Sequence, residues 1–509
     1  MGLLGDFGSA LSFTRAWQAA ILFVVARLLW NRYGTGLSHV PGPFLQSVTQ
    51  LVRVYHIWTQ RGQEFDLDLH KKYGKVVRVG PQLVSIAAAE DLNTVYGVTS
   101  NFYKSSFYDP STPYDEEGIV PDPFVLKDKE MHSRMKRNAS NAYSMTSLIQ
   151  LEPYIDEIMT RLFSILDQEA SNPKKPVDLG DYLHRFAMDA VFMLTFGKTM
   201  QFLEKGDENN VLAAFDVIMP YMSTVGQLSW AHKYLAGNPL GAKLILGNMT
   251  FEEGLINIAN SQVTTLKQDL KQRPADAPCT FVQRLLLNQK AQPESINERE
   301  IVTHALGNIT AGSDTTSTTM RSIIYYCLKN PETYRKLCEE VRTHCTLPVT
   351  FSSAKNLPYL DAAIKEALRI HPPMAIMLGR TVPKGGATVA GYYLPAGTEV
   401  GVNAWILHRD PEVFPDPEAW KPERWLTKDV DHLSRMKKHF FAFGAGRHIC
   451  SGRHISTMEI NKFIPSLLLK YDLALAYPDR PWTYASTMLA IQKGLHVVLT
   501  KREGGQVYL

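Results

Sequence analysis

The feature that most constrains this chain is a helical row that runs without a break from residue 298 to residue 329. Ile301, Ala305, Ile309, Gly312, Thr316, Met320, Ile323 and Cys327 recur every three or four residues, the spacing that gathers side chains on one face of an α-helix. Pro331 follows and disfavours helix at the residue before it. A second row, Ile155, Ile158, Leu162, Ile165 and Leu166, predicts a helix over residues 148–168. Short β-like pieces occur early, at residues 75–86, and late, at residues 385–402, where apolar alternation surrounds Pro395-Ala396-Gly397 and reads as a hairpin turn. The fold class is therefore mainly α with small β-sheets near both ends. No linker rich in Pro, Gly or Ser divides the body, so it reads as one large domain.

The charge balance excludes one class of partner. A formal net charge of +4 over 509 residues gives no reason to expect nucleic-acid binding. Five cysteines (Cys279, Cys327, Cys338, Cys345, Cys450), odd in number and without paired spacing, argue against a disulfide framework and for a reducing compartment. At the N-terminus, residues 16–30 read AWQAAILFVVARLLW. A comfortable membrane span needs about 20 apolar residues, and this stretch is shorter and contains Gln18 and Arg27. A cleaved signal peptide, a buried core helix and a single membrane anchor compete. The missing small-residue cleavage pattern and Trp30 weaken the first. An anchor with Arg27 snorkelling to the headgroups is preferred, because Pro41-Gly42-Pro43 makes a stiff break after it. The expected organisation is an anchor with its flanks at 1–36, a hinge at 37–44 and a catalytic domain at 45–509.

The chemistry begins at Phe443-Gly444-Ala445-Gly446-Arg447-His448-Ile449-Cys450-Ser451-Gly452. A thiolate that binds a metal needs a backbone that approaches closely without blocking the metal's face, and glycines at 444, 446 and 452 allow it. N–H groups in such a loop can point at the sulfur and stabilise its charge. An isolated cysteine is ordinarily a small buried hydrophobe, which suits the other four. In the long helix, Ala311-Gly312-Ser313-Asp314-Thr315-Thr316 breaks the apolar pattern. Gly312 costs about 1 kcal/mol relative to alanine, and Thr315 can turn its hydroxyl to the Ala311 carbonyl, which would loosen the helix and open a groove. A packed Ser/Thr cluster is the plainer reading. Glu366 and Arg369, three apart, share a helix face, as many surface pairs do.

These residues resemble the cytochrome P450 family. Phe443, Gly446, Cys450 and Gly452 match four of the five fixed positions of its haem-binding loop, FxxGxRxCxG. The family's arginine two before the cysteine is here His448, beside Arg447, so either could meet a haem propionate. Glu366-Ala367-Leu368-Arg369, with Arg424 in Pro422-Glu423-Arg424-Trp425, resembles the family's buried acid–base network, with Trp425 where phenylalanine is usual. Ala311 to Thr315 match the (A/G)Gx(D/E)T pattern. The resemblance implies that Asp314 relays protons and that the Thr315 hydroxyl holds oxygen for O–O cleavage. His132 and Lys136, four apart, and Arg380 correspond to propionate partners, Lys136 standing where arginine is common. The segment following Cys450 resembles fungal microsomal members of the pisatin-demethylase-like branch. Asn308-Ile309-Thr310 matches a glycosylation sequon, a spurious one inside a helix.

The resemblance implies a monooxygenase with haem b. One atom of O₂ enters a lipophilic small molecule, as in secondary-metabolite biosynthesis, and the other leaves as water. No flavin or nicotinamide fingerprint is present, so electrons are expected from NADPH-cytochrome P450 reductase on the same endoplasmic reticulum membrane, with the catalytic domain facing the cytosol. Lys437, Lys438, Arg447 and Arg453 are candidates to meet it. Residues 107–124, 306–311, 374–378 and 488–491 are expected to line the substrate pocket. Two rivals stay open: a haem-thiolate isomerase or dehydratase that uses no O₂, and a non-enzymatic haem-binding protein.

Overall fold

The computed structural model describes residues 3–502 other than 113, 116–117, 173–174, 209, 247–250, 271–273 and 275–276. The chain begins with helix α1, Leu3–Leu29. Ile21, Leu22, Phe23, Val24, Leu29 and Trp30 are all exposed, which removes the reading of this segment as a buried core helix. Among the described residues, length and apolar composition sufficient to cross a membrane also occur at Val211–Tyr234. One third of its apolar window is buried, and it bends at Leu228, where φ and ψ leave the helical region, so it is part of the body.

The segment after α1 is strapped down. Arg78, buried in the first strand, donates to the carbonyls of Arg32 at 3.1 Å and Leu37 at 3.3 Å and to Thr35 Oγ1 at 3.0 Å. The Arg78 backbone N–H donates to the Pro41 carbonyl.

The main sheet has strands β1 (Val76–Gly80), β2 (Leu83–Ile86), β3 (Tyr103–Lys104), β4 (Arg380–Thr381) and β5 (Glu399–Val402), in spatial order β1-β2-β5-β4-β3. Only the β2–β5 pairing is parallel. Its far edge sets Lys104 directly opposite Arg380. The late β region differs from expectation. The hairpin pairs Ala387–Val389 with Tyr392–Leu394, and its turn is Ala390-Gly391, both at positive φ. Pro395-Ala396-Gly397 instead turns the chain out of that hairpin into β5.

Five helices carry the functional residues: α2 (Lys129–Ala139), α3 (Leu179–Phe196), α4 (Glu298–Lys329), α5 (Pro358–Ile370) and α6 (Arg453–Lys470). Residues 148–168 divide into Met145–Ile149 and Glu152–Glu169, the break falling just before Pro153, which occupies the first turn of the second piece. The 298–329 helix appears as expected. It opens with a capping box in which Asn297 accepts from the Glu300 N–H and the Glu300 side chain returns to the Asn297 N–H. One core joins Phe186 and Leu194 of α3, Met320 and Ile323 of α4, Leu360 of α5, and Phe463 and Leu467 of α6. A helix as rich in Ser and Thr as α4 can be buried because its hydroxyls bond their own backbone: Thr319 Oγ1 donates to the Thr315 carbonyl and Ser322 Oγ to that of Thr318, both at 2.9 Å.

Candidate active site

The cysteine loop leads directly into α6. Gly444 and Gly446 have φ of +71° and +58°, the left-handed region that favours glycine. A Cβ on Gly446 would run into the Tyr96 carbonyl. Gly452 is a different case: its φ is −79° and open space surrounds it, so neither strain nor crowding demands glycine there. What it contributes is an N–H. The backbone N–H groups of Gly452 and Arg453 point at the Cys450 sulfur, and they belong to the N-terminus of α6, where the helix dipole favours negative charge. Burial pushes the Cys450 thiol up, against those two N–H groups and the charge of Lys136. The side chain is nonetheless exposed. A group that feels burial and yet keeps open surface faces a hollow inside the molecule. The other four cysteines are free and buried, as small hydrophobes are.

Beside that hollow lies a cluster of cationic and imidazole side chains, with Asp122 as an acidic neighbour of Lys104. Lys104 and Arg380 are cross-strand neighbours with 4% and 2% exposure, a pairing of like charges that is unfavourable unless an anion sits nearby. The Lys104 amine donates to the Pro123 carbonyl and lies 5.9 Å from the Tyr108 ring. Arg380 donates to the Tyr108 hydroxyl at 3.2 Å and lies 5.0 Å over the Tyr96 ring, and its Nε has no partner among the described residues. His132 of α2 and His448 of the loop lean together with centroids 4.4 Å apart, and Nδ1 of each is buried and unpaired among the described residues. Burial, with Lys104, Lys136, Arg447 and Arg380 around it, pulls His132 down to about 3. Burial, with Arg380, Lys104, His132 and Lys136 around it, holds His448 far below the usual histidine range. His448 thus faces the cluster, whereas Arg447 reaches out to the Val98 carbonyl. Lys136 is committed to the loop itself, donating to the carbonyls of Arg447 at 3.1 Å and Ile449 at 2.6 Å.

These residues fit haem b. One sulfur faces a hollow, orphaned donors await acceptors, and buried positive charge awaits carboxylates. Among the described residues no three His, Cys, Asp or Glu gather to hold a bare metal ion, so a metal bound at Cys450 must bring its other ligands with it, as a porphyrin does.

On α4, Ala311 is exposed and Thr315 half-buried, although Ile309, Ser313 and Asp314 around them are buried. The Thr315 hydroxyl donates to the Ala311 carbonyl at 2.8 Å, as expected. The helix is not loosened by Gly312, however. It runs on unbroken, and a Cβ at Gly312 would stand 2.8 Å from Val191, so the glycine lets α4 press against α3. Asp314 turns toward α3, where its Oδ1 lies 2.7 Å from His184 Nε2. Asn308 is no glycosylation site: it is buried, accepting from the Tyr143 hydroxyl and donating to Thr195 Oγ1.

Glu366 and Arg369 are fully buried and joined by two hydrogen bonds of 2.9 Å. Arg424 Nε adds one at 3.1 Å and the Lys421 N–H one at 3.0 Å. The indole N–H of Trp425 donates to Glu366 Oε2 at 2.9 Å, so the tryptophan supplies a donor that phenylalanine lacks. Farther out, Phe107, Tyr108, Val125, Ile376 and Met488 form an apolar cluster with Met219, Met222 and Met374 packed on it. Three of the four expected pocket segments thereby meet, although positions 113, 116 and 117 lie outside the described residues. Met219 and Met222, Lys104 and His184 were not foreseen. Nothing in their sequence neighbourhoods marks them; only folding brings them to the site.

Comparison with known proteins decides the family. The sequence profile of the family described as Cytochrome P450 matches residues 39–499. The chain belongs to the cytochrome P450 family. An Emericella nidulans protein named cytochrome P450 monooxygenase cicH is 34% identical over 490 residues, covering 95% of this chain and 97% of that one. An Aspergillus terreus protein named cytochrome P450 monooxygenase is 36% identical over 471 residues, with 89% and 93% covered. The Annulohypoxylon moriforme protein named cytochrome P450 monooxygenase mfmA is 32% identical over 499 residues, with 96% of each covered. These relatives are fungal, as the sequence resemblance implied. A cytochrome P450 of this kind is an oxidoreductase that binds haem b, uses O₂ and a redox partner, and takes lipophilic substrates.

Proposed function

We propose that this cytochrome P450 hydroxylates or similarly oxidises a lipophilic intermediate of fungal secondary metabolism, with electrons from NADPH-cytochrome P450 reductase. Residues 1–36 anchor it to the endoplasmic reticulum membrane, 37–44 form the hinge, and 45–509 form the catalytic domain on the cytosolic side. The exposed apolar side chains of α1 support the anchor. The exposed run of Lys437 and Lys438, on the helix before the cysteine loop, supports docking of an acidic partner.

The observation that carries this reading is the Cys450 thiol facing a hollow beside buried cations and orphaned nitrogens of Arg380, His132 and His448. Cys450 would ligate the iron, and the Gly452 and Arg453 N–H groups would spread the charge of its thiolate. His448, His132, Arg380 and Lys104 would hold the propionates, while Lys136 braces the loop from below. When bound, haem supplies the dioxygen-activating chemistry, and a thiolate ligand favours O–O cleavage. The protein supplies protons and dryness. Thr315 would offer a hydroxyl, Asp314 a carboxylate one residue away, and the Met-rich cluster an adaptable apolar wall that excludes water. The test is incubation of membranes with reductase, NADPH and candidate metabolites, reading mass shifts. A product one oxygen heavier and dependent on both NADPH and O₂ is expected. A product formed without either would favour the isomerase or dehydratase instead.

A further inference from the structure

We propose that His184 is the inlet through which protons reach Asp314 from the surface, which makes it a positioning and relay residue for the oxygen chemistry. The proposal rests on the roles given above to Asp314 and Thr315. Its geometry is independent of them. His184 sits on α3, 130 residues earlier in the chain than its partner on α4, and the two helices are pressed together at Gly312 and Val191. The imidazole is 18% exposed and the carboxyl it touches 2%, so the pair spans the step from the surface to the interior. Nε2 lies 2.7 Å from Asp314 Oδ1 but off the line that a hydrogen bond requires, and Asp314 Oδ2 has no partner among the described residues. A locked structural pair would use both. This one is in contact, with His184 Nε2 and Asp314 Oδ2 left without a hydrogen bond among the described residues.

The other charges around His184 explain why a histidine matters. Arg321 of α4 also faces Asp314, but its guanidinium is committed to the Gly180 and Gln492 carbonyls and never gives up a proton at working pH. On α3 itself, Asp181 and Arg185 neutralise each other at 2.6 Å. Asp178, just before α3, faces His496 at 4.0 Å. Of the two basic side chains that face Asp314, His184 is the one whose ring can both give up and take back a proton. Its imidazolium passes the Nε2 proton to the Asp314 carboxylate and becomes neutral. The proton left on the ring is then on Nδ1, so the ring turns outward, takes a proton from water at Nε2 and turns back. The proton leaves from Oδ2 toward the Thr315 hydroxyl, which releases its own into the hollow.

Two measurements on the full-length holoprotein test this. In the resting protein, ¹⁵N-labelled histidine resonances, assigned with His184→Gln, should shift when Asp314 becomes Asn; if the His184 signals do not move, the contact is absent and the proposal fails. With reductase and NADPH, dioxygen itself is the probe, and NADPH oxidation is followed in H₂O and D₂O from pH 6 to 8. His184→Gln keeps an N–H donor but cannot carry a proton. It should slow oxidation about tenfold, enlarge the solvent isotope effect and flatten the pH profile, while haem content stays normal. Should His184→Gln match the parent in all three while Asp314→Asn does not, this inference alone is overturned. If Asp314→Asn and Thr315→Ala are also silent, the reading beneath it goes too.

Discussion

Replacing Trp425 by phenylalanine tests whether the buried network under the cysteine loop works as the structure describes. Glu366 accepts five hydrogen bonds, from Arg369 Nε and Nη2, Arg424 Nε, the Lys421 N–H and Trp425 Nε1, between 2.9 and 3.1 Å. Trp425 is 7% exposed and packs edge-on against Phe440 at 5.4 Å. The substitution removes one donor from a buried carboxylate, and a hydrogen bond to a charged group contributes about 1.5–3 kcal/mol. The void left by the smaller ring adds about 1 kcal/mol. With four donors remaining on Glu366, the lower half of that range applies, so Trp425→Phe should cost about 2.5–3 kcal/mol. In a Glu366→Gln background the acceptor is neutral and the bond is worth about 1 kcal/mol, so the same change should cost about 2 kcal/mol there. Guanidinium unfolding of the four proteins, followed by far-UV circular dichroism, closes the cycle. A cost below about 1 kcal/mol, or the same cost in both backgrounds, would show that the indole only fills space.

Gly446→Ala places a Cβ against the Tyr96 carbonyl at positive φ, so the haem-to-protein absorbance ratio should fall well below the parent's; a normal ratio contradicts the loop geometry. Lys437→Glu with Lys438→Glu should slow the first electron transfer at low ionic strength, and the difference should shrink as salt screens the charges; unchanged stopped-flow rates place the partner elsewhere. Acid should destabilise the fold through buried histidines. Burial holds His304 and His371 down to about 4 and His408 to about 3, from 6.5. The unfolded chain therefore binds protons that the folded one refuses. Stability is complete above about pH 6.5 and falls as pH drops toward 4, by about 1.4 kcal/mol per pH unit for each histidine. Unfolding midpoints that are level between pH 7 and 5 would contradict this.

What was legible in the sequence is what local pattern controls. The α4 boundaries follow from a repeating apolar row, and a proline ends it. The cysteine loop declares itself because glycine is needed where the backbone is left-handed and crowded, as at Gly446. The misread turn shows the limit. Pro395-Ala396-Gly397 has turn composition, but the hairpin closes at Ala390-Gly391, where an alanine accepts positive φ because the strands on either side pair in register. The long-range contacts were illegible for a stronger reason. The indole of Trp425, the edge-strand lysine at 104 and the imidazole of His184 gain their roles from partners on other elements, and no spacing along the chain encodes those encounters. The same holds for His448 and Arg447. Their sequence order leaves open which one turns inward, and the fold decides it by offering Arg447 the Val98 carbonyl.

The central claim is that Cys450, as a thiolate, is the protein's ligand to the iron. It is tested most directly by the visible spectrum of the reduced, CO-bound protein, parent beside Cys450→Ser. The parent should show the strongly red-shifted main band that only a thiolate ligand produces, and the serine variant should lose it along with NADPH-dependent turnover. A variant that kept the parent's spectrum and activity would mean that another residue holds the iron.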